Sequence, residues 1–194
     1  MTQQPTTTFS VKPTLVGEKV ILRPFTGADA PAMAAILGDP EVSLFTGSAP
    51  GGELDLERLR AWYGTRSDQN DRLDLAVVDR VGGEVVGEVV LHEWEAHNRS
   101  CRFRTLIGPK GRNRGLGTEA TRLVVGHGFE QLGLNRIALG VFNFNPRAIR
   151  AYEKAGFVAE GTEREALFHE GEWIDATCMS ILAREWSAHR GVRP

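Results

Sequence analysis

The residues that most constrain the fold of this 194-residue chain are 112–118, which read Arg-Asn-Arg-Gly-Leu-Gly-Thr. An apolar run at 103–107 precedes them and predicts a β-strand, while residues 119–131 follow them and predict an α-helix. A strand that passes through a glycine turn into a helix presents free backbone N–H groups and the positive end of the helix dipole at one point. That geometry predicts a site for phosphate groups, and a solvated basic turn is the plainer alternative.

Composition narrows the class of protein. The chain is 41% apolar and 25% charged, which is typical of a globular protein, and its length suits a single domain. A formal charge of −2 argues against general attraction to nucleic acid or to a membrane. The two cysteines, Cys101 and Cys178, provide neither a disulfide framework nor a metal-ligand spacing. Since no apolar run approaches the ~20 residues of a membrane span, and no signal-peptide core is present, we expect a cytoplasmic protein with a domain at 15–186 between flexible tails at 1–14 and 187–194.

Strands and helices alternate along the chain. Turn residues bound these segments, such as Pro146 at the start of one predicted helix and Gly156 after its end. The hairpin turn at 81–83 and the crossover through the glycine segment predict an α+β fold, in which helices flank a mixed, mostly antiparallel central sheet. The predicted strands are 19–23, 74–80, 84–92, 101–107, 136–142, 157–160 and 177–183, and the predicted helices are 29–37, 54–66, 119–131 and 146–155.

The predicted strand 84–92 carries two titratable side chains, Glu88 and His92. Alternation of side chains along a strand places both on the same face, so both would reach a cleft that opens on that face. The full assignment puts Val85, Val89 and Leu91 on one face and Val86, Glu88, Val90 and His92 on the other.

Three classes of phosphate ligand are compatible with a glycine turn. A nucleoside-triphosphate loop requires a lysine after its last glycine, but Thr118 follows Gly117, which excludes that class. The spacing of residues 115–120 fits a dinucleotide fingerprint, yet that fold requires an acidic residue at the end of the next strand, where Phe142 and Asn143 stand instead. The third class is coenzyme A.

Two blocks of sequence support coenzyme A. The motif Arg112-x-x-Gly115-x-Gly117 resembles the pyrophosphate-binding loop of the GCN5-related N-acetyltransferase (GNAT) superfamily. Residues 145–148 (Asn-Pro-Arg-Ala) and 152–157 (Tyr-Glu-Lys-Ala-Gly-Phe) resemble that superfamily's next signature at the expected distance. The resemblance implies transfer of an acetyl group from acetyl-CoA to an amine.

The resemblance extends over nearly the whole chain, from about residue 15 to 186. Residues 17–24 and 160–182 are similar to the subgroup that acetylates the N-termini of ribosomal proteins. This implies a primary amine as the acceptor, either a protein N-terminus or a small-molecule amine. It implies no metal, no nucleic acid and no membrane partner, and a homodimer is compatible with it.

The resemblance also implies how the cofactor binds. The strand before the loop parts from its neighbour and pairs with the pantetheine arm, the backbone N–H groups of the loop hold the pyrophosphate, and the arginines flank it. Asn145 is expected both to cap the helix that follows and to hydrogen-bond the cofactor. The expected cofactor-binding residues are Thr105, Leu106, Ile107, Arg112, Asn113, Arg114, Gly115, Leu116, Gly117, Thr118 and Asn145.

Tyr152 is the expected catalytic residue. By resemblance it is the general acid that protonates the departing thiolate, and a buried tyrosine facing Phe157 is the structural alternative. Many relatives carry a glutamate early in the strand before the glycine loop as a base, but Arg102 stands at that position here. Glu88 and His92 are the available substitutes.

We therefore expect an acetyl-CoA-dependent N-acetyltransferase that works by direct attack in a ternary complex. The alternative is a non-catalytic acyl-CoA-binding module that acts as a sensor or scaffold. Four large aromatic residues are candidates for the acceptor cleft or, more simply, for the core: Phe25, Phe45, Trp62 and Trp94. His127 is expected to be a core histidine on an apolar helix surface.

Overall fold

The structure is a computed structural model that describes residues 8–47 and 54–189. Its centre is an eight-stranded sheet in the order β1-β2-β3-β4-β5-β6-β8-β7. Neighbouring strands run antiparallel except β5 and β6, which are parallel. The strands are β1 (Leu15–Val16), β2 (Val20–Pro24), β3 (Leu73–Asp79), β4 (Val85–Glu95), β5 (Ser100–Ile107), β6 (Arg136–Phe142), β7 (Val158–His169) and β8 (Glu172–Leu182).

Helices cover both faces of the sheet, which confirms the predicted α+β class. The helices are α1 (Ala30–Leu37), α2 (Pro40–Thr46), α3 (Leu56–Gly64), α4 (Leu116–Glu130), α5 (Pro146–Ala155) and α6 (Ala183–His189). The larger core cluster, which includes Leu22, Val124 and Ile137, packs α4 against the sheet. A smaller cluster, which includes Met33 and Leu106, packs α1 and α3 against the other face.

Helix boundaries follow local capping chemistry where the sequence carries it. In α5, the side-chain oxygen of Asn145 accepts a hydrogen bond from the N–H of Ala148 at 3.1 Å, and Gly156 ends the helix with φ at +100°. The predicted bounds of α5 are therefore confirmed. Sequence analysis did not predict α2, which begins at Pro40 because Asp39 caps it by accepting from the N–H of Val42 at 3.1 Å.

The predicted face assignment of β4 is wrong at one end. Val77 pairs with Gly87 while the adjacent Val78 pairs with Val85, so a β-bulge leaves Val86 without a partner in β3. Val86 consequently joins Val89 in the larger core cluster, whereas Val85 packs against the smaller cluster on the opposite face. Alternation holds from Gly87 to His92, and a second irregularity follows between His92 and Glu95.

The structure packs residues at both ends of the chain that were predicted to belong to flexible tails. The ring of Phe9 is fully buried and meets the ring of Trp94 edge-on at 5.4 Å between centroids. The ammonium of Lys12 donates to the backbone carbonyls of Phe9, Gln69 and Arg72, each at 2.6 Å. Since α6 also extends to residue 189, the packed part of the chain exceeds the expected domain at both ends. Residues 1–7 and 190–194 of the predicted tails lie outside the described residues.

Candidate active site

The two parallel strands at the centre of the sheet separate after a short contact. Pairing between β5 and β6 covers only residues 100–102 and 136–138. Beyond it, β5 stays paired with β4 as far as Ile107, and β6 stays paired with β8 as far as Phe142. A cavity of about 1240 Å³ opens where the strands separate. This volume exceeds the usual upper value of about 1,000 Å³ for ligand pockets, so the cavity has room for an extended ligand.

The cavity gathers most of the residues that sequence analysis had singled out, from β5, the glycine loop and α5. Arg114 and Leu116 do not line it, and the side chain of Leu116 lies in the core instead. The predicted residues that do line it are Thr105, Leu106, Ile107, Arg112, Asn113, Gly115, Gly117, Thr118, Asn145 and Tyr152.

The backbone of the glycine loop is arranged to present its N–H groups. Asn113 and Gly115 adopt positive φ angles of 60° and 78°. The first hydrogen bond of α4 runs from the N–H of Glu119 to the carbonyl of Gly115 at 3.1 Å. Within the described part of the chain, the N–H groups of 113–118 have no acceptor. These groups at the start of a 15-residue helix form a site suited to an anion such as a diphosphate.

The start of α4 is held in place from the other side by Glu119. Its carboxylate accepts hydrogen bonds from the N–H groups of Glu18, Lys19 and Val20, at 2.6, 2.8 and 3.0 Å. These bonds tie the first turn of α4 to the beginning of β2. The anchor fixes the position of the loop relative to the sheet before any ligand binds.

The side chains of the two loop arginines form ion pairs that were not predicted. Arg112 places Nη2 2.6 Å from the carboxylate of Asp39, and its Nη1 contacts Glu41, so its side chain binds α2 rather than projecting freely into the cavity. Arg114 places Nη1 2.7 Å from the carboxylate of Asp79, outside the cavity. The sequence alone did not reveal these ion pairs, and the expectation that both side chains flank a pyrophosphate stays a prediction.

Tyr152 and Asn145 face the cavity from α5. Tyr152 is only 8% exposed, and its ring lies between Phe103 and Phe157 at centroid distances of 6.1 and 5.9 Å. Burial raises the pKa of its phenol above the usual value, so the group stays protonated and remains a proton donor. Tyr152 thus packs in the core, as the structural alternative expected, and also borders the cavity, so its role as general acid stays a prediction.

Glu88 reaches the cavity and His92 does not. The Glu88 carboxylate is 4% exposed, lines the cavity and accepts a hydrogen bond from Nη2 of Arg104 at 2.8 Å. His92 instead lies beside Glu93 at 3.2 Å, and burial lowers its pKa. Arg104 was not predicted from the sequence. The sequence shows only that it shares a face of β5 with the other even-numbered residues. The register of β4 against β5 is needed to place it near Glu88.

The remaining candidates divide between cavity and core. Phe45 and Trp62 line the cavity, whereas Phe25 packs in the smaller core cluster and Trp94 packs against Phe9. His127 in α4 is only half-buried and belongs to neither core cluster, so its predicted core position is met only in part; burial lowers its pKa. Among the described residues, no cluster of three or more His, Cys, Asp or Glu side chains has a metal-binding arrangement, and no helix there has the length and apolar character to cross a membrane.

The separated strands, the free loop amides and the shared cavity form a site that suits an extended ligand carrying a diphosphate. Residues 19–158 match the family model of the acetyltransferase (GNAT) domain, and the chain belongs to this family. The predicted superfamily is therefore confirmed, and with it the expected use of acetyl-CoA at the level of the family.

Individual relatives agree with this assignment. The chain is 33% identical over 121 residues to the spermidine N(1)-acetyltransferase of Escherichia coli strain K12, which covers 62% of this chain and 63% of that protein. It is 31% identical over 108 residues to the putative ribosomal N-acetyltransferase YdaF of Bacillus subtilis, which covers 56% and 59%. The matched segment thus spans less than two thirds of either relative.

Solved structures share the fold over a larger part of the chain. The spermidine N-acetyltransferase of Vibrio cholerae, solved in complex with CoA and spermine, superposes with a TM-score of 0.79 at 24% identity. The superposition covers 88% of this chain and 99% of that one.

Proposed function

We propose that this chain transfers an acetyl group from acetyl-CoA to a primary amine by direct attack within a ternary complex. One observation carries the proposal: the unbonded N–H groups of 113–118 and the open edge of β5 border the same cavity. The first feature suits a diphosphate, and the second suits an extended chain that pairs with a strand edge. Coenzyme A contains both chemical features in one molecule.

The cofactor would lie along β5 from the loop towards the centre of the sheet. The loop amides at 113–118 would hold the diphosphate, and the backbone of 105–107 would pair with the pantetheine arm. The side-chain oxygen of Asn145 already accepts from Ala148, which leaves its amide N–H₂ group available to the cofactor. We assign Arg112 an indirect role, because its ion pairs with α2 fix the loop rather than the ligand.

Direct attack is favoured over a covalent enzyme intermediate. Burial raises the pKa of Cys101 to about 12, so its thiol is not ionised at neutral pH, and neither cysteine lines the cavity. The amine would instead attack the thioester held beside it. Positioning alone lowers the activation free energy of such a reaction, typically by about 7–11 kcal/mol for well-oriented groups. Tyr152 would donate a proton to the departing sulfur.

The charge of the cavity bears on the acceptor. The acidic side chains that line it are Asp55 and Glu88, and the basic ones are Arg58, Arg104, Arg112, Arg147, Arg150 and Lys154. Arg104, Arg112 and Arg147 are ion-paired with Glu88, Asp39 and Glu41, so the uncompensated positive charge of the described cavity wall comes mainly from Arg58, Arg150 and Lys154. This charge disfavours a polycation such as spermidine, the substrate named for some relatives, because like charges repel. We propose an acceptor whose only cationic group is the reacting amine, either a protein N-terminus or a small molecule. Thiol release measured across N-terminal peptides, simple amines and polyamines tests this.

The loop assignment is tested by Gly117→Trp. Gly117 lines the cavity, and a Cβ there would already lie 3.2 Å from Ile107, so an indole would fill the space proposed for the diphosphate. Calorimetry should show acetyl-CoA binding to the parent chain and at least tenfold weaker binding to the variant. Gly161→Trp is the matched control, because a Cβ at Gly161 meets no atom within 4 Å. Unchanged affinity for acetyl-CoA in a folded Gly117→Trp variant would show that the diphosphate does not bind at this loop.

The non-catalytic alternative makes a different prediction. A sensor or scaffold would bind acetyl-CoA without releasing thiol in the presence of any amine, whereas an acetyltransferase releases one thiol for each amide formed. Acetyl-pantetheine, which lacks the diphosphate, should bind more weakly than acetyl-CoA in either case. The cytoplasmic location and the homodimer stay predictions from the sequence.

A further inference from the structure

Glu88 occupies an unusual position for a carboxylate. It lies on β4 directly opposite Leu106 of β5, the strand whose far edge is proposed to pair with the cofactor. Its side chain is 4% exposed and lines the cavity, so the solvent that it meets is the solvent of the cavity. The hydroxyl of Thr105 donates to the backbone carbonyl of Glu88 at 2.8 Å, which ties Glu88 to the same strand.

The groups around Glu88 fix the orientation of its carboxylate and leave it accessible to a ligand in the cavity. Arg104 of β5 donates to one carboxylate oxygen, Oε1, at 2.8 Å. On β3, Asp74 is held by Arg72 through two hydrogen bonds of 2.7 and 2.8 Å, and it does not line the cavity. From α3, the buried Tyr63 faces the same region. Within the described part of this sheet face, Glu88 is thus the buried carboxylate that a cavity ligand can reach.

The surroundings also make Glu88 a stronger base than an exposed glutamate. Burial raises its pKa, the Asp74 carboxylate adds to that effect, and Arg104 and Arg72 oppose it without reversing it. A carboxylate with a raised pKa accepts a proton more readily near neutral pH. Arg102 does not line the cavity and, at its surface position, lies 3.8 Å from Glu93, so the position that carries a glutamate in many relatives supplies no base here.

We propose that Glu88 is the general base that receives the proton of the acceptor ammonium, an inference that rests on the proposed acetyltransferase function. The ammonium gives one proton to Glu88, and the freed lone pair forms a C–N bond with the thioester carbonyl carbon. The C–S bond then breaks, and its electron pair leaves with the sulfur. Tyr152 protonates the sulfur and regains a proton from the nitrogen, while Glu88 releases its proton to the solvent of the cavity. One amide, one thiol and one proton result.

Glu88→Gln tests the proposal, because it keeps the shape and removes the base. We expect kcat/KM for the amine to fall about 100-fold, the lower end of the usual contribution of general catalysis, while the acetyl-CoA Kd changes less than twofold. The acidic limb of the pH profile should disappear. Asp74→Asn is the matched control: it disturbs another buried carboxylate–arginine pair on this face, so the acidic limb should remain but move to lower pH, because a charge that raises the pKa of Glu88 is lost.

A series of acceptors separates proton removal from structural support. An amine with a pKa near 10 is mostly protonated at neutral pH, whereas a weakly basic amine is already neutral and needs no base. The defect of Glu88→Gln should therefore shrink at least tenfold with the weakly basic acceptor. Glu88→Asp, which keeps a carboxylate, should retain the acidic limb and serves as the second variant if Glu88→Gln fails to fold.

The outcomes distinguish this inference from the proposed function. If the parent chain releases thiol with an amine and Glu88→Gln does so at the same rate, or is equally impaired with both acceptors, Glu88 is not the base and the acetyltransferase assignment stands. If the parent chain binds acetyl-CoA but releases no thiol with any amine, the proposed function fails and the base assignment fails with it.

Discussion

At the scale of single residues, Tyr152 combines a position in the core with a place at the cavity wall, and we propose that it serves both packing and chemistry. Its ring contacts Phe103 and Phe157, and the residue borders the cavity. The low exposure that stabilises the ring also raises the pKa of the phenol. A donor that stays protonated across the neutral range suits a leaving thiolate, which becomes the stronger base as the C–S bond breaks.

Tyr152→Phe should therefore lower kcat by about 100-fold, since general acid catalysis typically contributes 10²–10⁴-fold, and should leave the acetyl-CoA Kd nearly unchanged. Steady-state thiol release and calorimetry measure the two quantities. Tyr63→Phe is the matched control, because Tyr63 is the other tyrosine of the chain, is also buried and also lines the cavity. A larger loss of kcat in the control would indicate that Tyr63, and not Tyr152, is the proton donor.

At the scale of secondary-structure elements, the glycine loop and α2 form one unit. Asp39 caps α2 and at the same time accepts from Arg112 of the loop. The hydrogen bond from Arg112 holds the pKa of Asp39 below its usual value. Because Phe45 of α2 also lines the cavity, the ion pair links the glycine loop to a second part of the cavity wall.

Removal of this link should cost stability. The Arg112 side chain is 13% exposed, and Arg112→Ala leaves Asp39 without its cation, so we expect the free energy of unfolding to fall by about 2 kcal/mol. Denaturant unfolding measures this. Arg114→Ala is the control on the same loop: the Arg114 side chain is 44% exposed and Asp79 keeps a hydrogen bond from the N–H of Val81, so the unfolding midpoint should change less. Equal stabilities of the two variants would show that the contacts to α2 do not hold the loop.

At the scale of the whole molecule, the amino-terminal segment belongs to the core. Phe9 is fully buried and packs against Trp94 near the end of β4, and Lys12 binds carbonyls of the chain just before β3. The segment therefore closes one end of the larger core cluster. Its contacts lie on β4, far along the strand from Glu88, so they support the sheet rather than the chemistry.

Phe9→Ala should consequently lower the free energy of unfolding by about 3–5 kcal/mol, the usual cost of deleting a buried aromatic ring. Val11→Ala in the same segment is the control, because Val11 is 69% exposed and should have little effect. Both variants should bind acetyl-CoA with parental affinity below their unfolding temperature. A Phe9→Ala variant as stable as the parent would show that residues 8–14 do not contribute to the core.

Much of the architecture was predictable because it depends on residues close together in the sequence. The bounds of β6 and α5 follow from apolar alternation, from Asn145 and Pro146 at one helix end and from Gly156 at the other. The bulge at Val86 was not predictable, since it arises from the pairing of β4 with β3 and leaves no local signature in the sequence. It reversed the faces assigned to Val85 and Val86.

The sequence by itself determined the strand, glycine turn and helix at 103–131, because φ preferences, capping and side-chain periodicity act within a few residues. The tertiary structure alone decided which groups meet. Arg112 and Asp39 are 73 positions apart, and Arg104 and Glu88 are 16 apart on neighbouring strands. Those contacts depend on register, on the separation of β5 from β6 and on the desolvation of charge, and none of these is encoded in a local pattern.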